Sequence, residues 1–134
     1  GYLEYGHVKL REQLGLLSGP VEEFQKSAEA EHNAMLSMLV DEGYLDASAL
    51  EDELANENEI IDALYRGLKG SPCKLMAASI VDAVGEKRTQ NQPGTSNEYP
   101  NWRIPLADGD GNVVPLEQLF DNTRLQEIAA IMRG

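Results

Sequence analysis

The chain has 134 residues, with 11 basic against 23 acidic side chains, a formal charge of −12 and a pI near 4.4. Phosphate backbones and anionic lipid heads are bound by Lys and Arg that replace their counterions, so nucleic acid and membrane surfaces are not expected partners. With 42% hydrophobic and 25% charged residues it can build one modest core, but it is too short for a complete (β/α)8 barrel, which takes roughly 200 residues or more.

No stretch approaches the roughly 20 apolar residues that span a bilayer, and residues 1–9 lack a basic segment followed by an apolar run. A cytoplasmic location is the expectation. The single cysteine, Cys73, cannot form an internal disulfide. The start at Gly1 suits either an excised segment or loss of an initiator Met.

Leu3, Leu10, Leu14 and Leu17, with Tyr2 and Val8 beside them, recur at helical spacing and predict a first helix, weakened by Gly15 and ended by Ser18-Gly19. Pro20 suits the start of a second, with Glu22 and Glu23 favourable at its positive end. Its apolar stripe runs from Val21 through Phe24, Ala28, Met35, Leu36 and Leu39 to Val40, and Gly43 offers a left-handed cap. Asp46 is an N-cap for a third helical stretch through Leu50 and Leu54, interrupted near Asn56 or Asn58 and continued by Ile60, Ile61, Leu64 and Leu68 to Gly70. Residues 1–70 thus form a helical part.

Residues 75–79 are a short apolar run between Pro72 and Asp82, read as a buried strand entering one helical turn at 81–84. Residues 86–103 are polar, irregular and Pro- and Gly-bearing, and loops of that length are usually functional or disordered. Short extended pieces at 103–106 and 113–114 flank the turn formers Asp108, Gly109, Asp110, Gly111 and Asn112. Leu116, Leu119 and Phe120, then Leu125, Ile128, Ala129 and Met132, predict two closing helices within 107–134.

His7 and His32 have no second ligand at metal spacing and read as ordinary surface or groove histidines. Cys73 reads as a small buried hydrophobe. Asp108, Asp110 and Asn112 mimic the opening of a calcium loop, but Val113 and Leu119 stand where that loop needs Gly and a bidentate Glu, so a tight turn is the better reading. Glu51, Asp52 and Glu53 read as a solvated helix face. No metal site, cofactor or catalytic residue is assigned.

The informative stretch is Asn91-Gln92-Pro93-Gly94-Thr95 followed by Tyr99-Pro100-Asn101-Trp102-Arg103. Pro93-Gly94 forces a turn, Asn91 offers a donor and acceptors, and Tyr99 and Trp102 supply flat faces of the kind that stack on sugar rings. The competing reading makes Trp102 a core anchor and the loop a structural crossover.

These residues resemble the Asn-x-Pro-Gly-Thr and Asn-Trp-Arg stretch near the C-terminus of the 4-α-glucanotransferases, the amylomaltases of glycoside hydrolase family seventy-seven. Upstream, Gly1-Tyr2-Leu3, His7-Val8-Lys9-Leu10-Arg11 and Leu14-Gly15-Leu16-Leu17 resemble the helix after that family's His-Asp segment, and 71–85 is similar to its last barrel strand and following turn. The resemblance covers essentially the whole chain. It implies a mainly helical C-terminal piece of a (β/α)8 barrel: the last strand at 71–85, a substrate-side loop at 86–106, and surrounding helices. It also implies a retaining transferase that passes α-1,4-glucan segments between malto-oligosaccharides, using two carboxylates roughly 5 Å apart. Those carboxylates belong to parts of the family upstream of Gly1, so the piece alone is expected to be inactive.

By resemblance, Asn91 binds a glucose hydroxyl on the donor side, Pro93, Gly94 and Thr95 hold the loop, and Trp102 is structural. Helices and a strand built to cover a barrel expose an apolar flank without it, so the isolated chain is expected to self-associate, as a symmetric dimer. The alternatives are an acidic helical protein-interaction module and, ranked last given 6% aromatic residues, a noncatalytic glucan-binding domain.

Overall fold

The computed structural model describes residues 2–134 and is built from helices: α1 (Gly6–Gln13), α2 (Val21–Asp41), a 3-10 turn (Ala47–Glu51), α3 (Glu57–Gly70), α4 (Ile80–Val84), α5 (Leu116–Leu119) and α6 (Thr123–Arg133). Helix α2 forms where the apolar spacing predicts. It buries Ala28, His32, Leu36 and Leu39 along one stripe, carries Glu22 and Glu23 in its first turn, and is followed by Gly43 at φ 75°. Helix α1 is shorter than expected, starting after Tyr5 and ending before Leu14, so it buries only Val8. It packs on α2, with the Arg11 guanidinium 5.9 Å from the Phe24 ring.

Asp46 caps as predicted, its Oδ1 accepting from the Ser48 N–H at 2.8 Å, but the helix it opens is a single 3-10 turn. Asn56 separates that turn from α3 by reaching backward, donating from Nδ2 to the carbonyls of Asp52 and Ala49 at 2.9 and 3.2 Å. Leu36, Leu39, Leu45, Ala49, Ile60 and Ala63 then close one core between α2 and α3. Burying each large aliphatic there contributes about 1.5–3 kcal/mol.

A second, smaller core joins α3, α4 and α6 through Tyr65, Ala83 and Ile128. Asp62 on α3 accepts from Arg124 on α6 at 2.8 Å, and Lys69, about two turns later on α3, donates to the Met132 carbonyl at 2.9 Å. The two contacts advance in the same order along both helices, so α3 and α6 lie side by side and run in one direction.

Between them the expected strand is not formed. Residues 75–79 have no ladder partners, only Ser79 at their end is seen in extended backbone, and Leu75 is 94% exposed. No strand is present among the described residues, only one antiparallel bridge between Ala107 and Val113. A strand needs a neighbour to take its N–H and C=O groups, and no described segment forms a ladder with this one. Cys73, expected buried, is exposed on the approach to this segment.

Candidate functional site

Helix α4 ends at Gly85, in the left-handed conformation at φ 77°, and the chain enters the long loop there. Glu86 closes the base of that loop. Its carboxylate accepts from the Arg88 guanidinium at 2.8 and 2.6 Å and from the Ala107 N–H at 3.0 Å, while Arg88 also donates to the Pro105 carbonyl at 2.8 Å. The Glu86 side chain is 1% exposed, and the Arg88 hydrogen bonds hold its carboxyl below the usual carboxylate range. One buried acid thus joins positions 21 residues apart.

At the tip, Asn101 straddles the Pro93-Gly94 turn. Its Oδ1 accepts from the Gln92 N–H at 2.7 Å and its Nδ2 donates to Thr95 Oγ1 at 2.9 Å, while Thr95 Oγ1 donates to the Gln92 carbonyl at 2.6 Å. Gly94 sits at φ 88°, and a Cβ there would come within 3.4 Å of Leu16 Cδ2, so the turn rests against the α1–α2 connection. Tyr99 closes the other flank by donating its hydroxyl to the Thr89 carbonyl at 2.6 Å, and burial pushes its phenol up.

Asn91 stands apart within this network. Its carbonyl accepts from Thr89 Oγ1 at 3.1 Å, but its side-chain amide makes no hydrogen bond among the described residues. Asn91 lines an open cleft of about 930 Å³ together with Gln90, Tyr99, Trp102, His7 and Arg88. Partial burial pushes the His7 imidazole below its ordinary range, and the Tyr2 ring is stacked on it at 5.4 Å. Of the four residues predicted from sequence, Asn91 alone faces the cleft. Gln92 is buried, Thr95 locks the turn, and Pro93 and Gly94 are exposed at its tip.

Trp102 corrects the core-anchor expectation. It is 77% exposed, at φ 58°, and its N–H donates to the Gln90 carbonyl at 2.8 Å. His32 also differs from expectation: it is buried, with Nε2 2.6 Å from Glu53 Oε2, so Glu53 is not part of a solvated face. Asp108 behaves as predicted, its Oδ1 accepting from the Asp110 and Asn112 N–H groups in a tight turn. Asn101 and Glu86 carry the loop yet were invisible to spacing, because their partners lie 9 and 21 residues away. The only cue was that Asn101 precedes Trp102 within the stretch already singled out.

The family model described as 4-alpha-glucanotransferase matches residues 8–110. The chain is 45% identical over 134 residues to the 4-alpha-glucanotransferase of Mycobacterium tuberculosis strain H37Rv, covering 100% of this chain and 18% of that protein. It is 29% identical over 122 residues to the 4-alpha-glucanotransferase of Haemophilus influenzae, covering 89% of this chain and 17% of that one. In structure it is similar to the amylomaltase of Corynebacterium glutamicum, with a TM-score of 0.87 and 34% identity, over 98% of this chain and 20% of that one. The chain therefore spans less than a fifth of the length of the curated relatives it matches.

Proposed function

The chain belongs to the 4-alpha-glucanotransferase family, glycoside hydrolase family seventy-seven, and we propose that it forms one wall of the substrate cleft in a longer enzyme that transfers α-1,4-glucan segments between malto-oligosaccharides. The observation that carries this reading is the Asn91 amide. The backbone on either side of it is held by Thr89, Gln92 and Asn101, while the amide itself is left unpaired in an open cleft. A planar amide held in that way is suited to donate to one sugar hydroxyl and accept from another. Pro93, Gly94 and Thr95 hold the loop that presents it.

The architecture supports placing this cleft at the mouth of a barrel. Helices α3 and α6 run side by side in one direction, and the apolar residues 75–79, without ladder partners, join α3 at the Ser79 N–H to Tyr65 hydroxyl bond, as a last barrel strand beside its outer helices would. The loop then follows that strand's C-terminal end, where barrel enzymes gather their substrate groups. The reaction is a retaining double displacement whose two carboxylates lie in the rest of the enzyme. A cytoplasmic location accompanies the reading; no helix among the described residues is long and apolar enough to cross a membrane.

Without its barrel neighbours the chain pairs with a second copy through residues 75–80, where Leu75, Met76 and Ile80 are exposed. Sedimentation over a wide concentration range tests this: a persistent monomer overturns it. The functional reading is tested by Asn91→Ala in the longer enzyme. Maltotriose disproportionation falls by about 10²-fold with the melting temperature kept, as expected when a group that hydrogen-bonds a substrate hydroxyl is lost. Unchanged kinetics overturns the role of Asn91, and turnover by the 134-residue chain alone overturns the placement of the reactive acids elsewhere.

A further inference from the structure

We propose that Trp102 is a stacking platform for a glucosyl ring of a malto-oligosaccharide lying along the cleft, an assignment that rests on the glucan-cleft reading above. Three observations converge on it. The ring is 77% exposed although Trp is the bulkiest apolar side chain in the sequence, and the chain contains one. Its backbone stands at φ 58°, a conformation that bulky residues rarely adopt, and such outliers gather at ligand sites. The Trp102 N–H donates to the Gln90 carbonyl at 2.8 Å and the Arg103 N–H to the Pro100 carbonyl at 3.0 Å, so hydrogen bonds on both sides hold this backbone conformation.

That same backbone bond to Gln90 ties the Trp102 main chain to the residue beside Asn91, and both Asn91 and Trp102 line one cleft. The charged lining groups are engaged elsewhere: Arg88 by Glu86 and Pro105, Lys87 by Glu4 at 3.1 Å, and Asp82 by the Tyr65 hydroxyl at 2.6 Å. The exposed Trp102 ring and the neutral Asn91 amide are left to meet a ligand. A pyranose has complementary surfaces, an apolar C–H face and a rim of hydroxyls, so the cleft selects a neutral polyhydroxylated ligand over an anionic one.

The test uses Trp102→Ala and Trp102→Phe in the longer enzyme. The alanine variant raises the KM for maltotriose about tenfold with kcat within about twofold, and phenylalanine restores KM to within about threefold, because the lost contact acts in ground and transition states alike. An unchanged KM in Trp102→Ala, or a fall in kcat alone, overturns the assignment, while an impaired Asn91→Ala leaves the cleft reading standing. If the alanine variant does not fold, the 134-residue chain, whose sole tryptophan is Trp102, supplies the readout. Maltoheptaose then shields its fluorescence from acrylamide quenching and cellohexaose does not; equal quenching with and without maltoheptaose overturns the platform.

Discussion

The Tyr65 hydroxyl donates to Asp82 Oδ2 at 2.6 Å and at the same time accepts from the Ser79 N–H at 2.9 Å, so one phenol on α3 fixes the point where the segment 75–79 turns into α4. Everything downstream, including the loop that carries Asn91, departs from this joint.

Removing the hydroxyl tests the joint. Tyr65→Phe leaves the Ser79 N–H and the Asp82 carboxylate without their partner and costs about 1–3 kcal/mol in urea unfolding. Burial, with the Asp82 hydrogen bond, pushes the Tyr65 phenol up to about 12. Its pKa is raised on folding, so the folded chain keeps a proton that the unfolded chain releases. The stabilisation is fully present below pH 10 and is lost as pH rises from about 10 to 12. The melting temperature of the parent chain falls across that window more steeply than that of Tyr65→Phe; parallel curves would refute the coupling.

Glu86 gives the opposite sign. Its pKa is lowered on folding, chiefly by Arg88, so its contribution is present above the ordinary carboxylate value and is lost as pH falls through the lowered folded value. Amide exchange at Ala107, whose N–H bonds to Glu86, speeds up at that acidic end before the α2–α3 core opens. Glu86→Gln keeps an acceptor but removes the charge that grips Arg88, and it flattens this acid response. An identical acid response in the variant would show that the clamp lies elsewhere.

Asn101→Ala deletes the bridge across the Pro93-Gly94 turn and leaves the Gln92 N–H without a partner in the protein. A loss of about 1–3 kcal/mol is expected, together with protease cleavage between positions 92 and 101. On the proposed role of Asn91, kcat/KM of the longer enzyme falls with it, because Asn101 braces the turn that follows Asn91. Full activity with a cleavable loop would separate the two.

Gly94→Ala tests the turn from the other side. A side chain at φ 88° costs about 1–2 kcal/mol from backbone strain, since its Cβ would meet Leu16 only at contact distance, 3.4 Å. A variant as stable as the parent would mean that the turn adopts another conformation in solution.

Some of this molecule is legible in the order of its residues. The apolar repeat of α2 buries Ala28, Leu36 and Leu39, Asp46 caps the next turn, Gly43 takes a left-handed conformation, and Asp108 closes a tight turn, since each depends on neighbours within a few positions. The stretch from Asn91 to Arg103 also suffices to point to the family. The fate of each apolar or charged group was decided by the fold. Residues 75–79 read as a buried strand but form no ladder and leave Leu75 and Met76 exposed, since no described segment pairs with them; Trp102 reads as a core anchor but is 77% exposed; and His32 and Glu53 read as surface groups but meet across 21 residues. Periodicity reports which residues share a face. Whether that face is covered, and which distant donor meets which acceptor, depends on chain closure over long separations, and that is settled only when the tertiary structure forms.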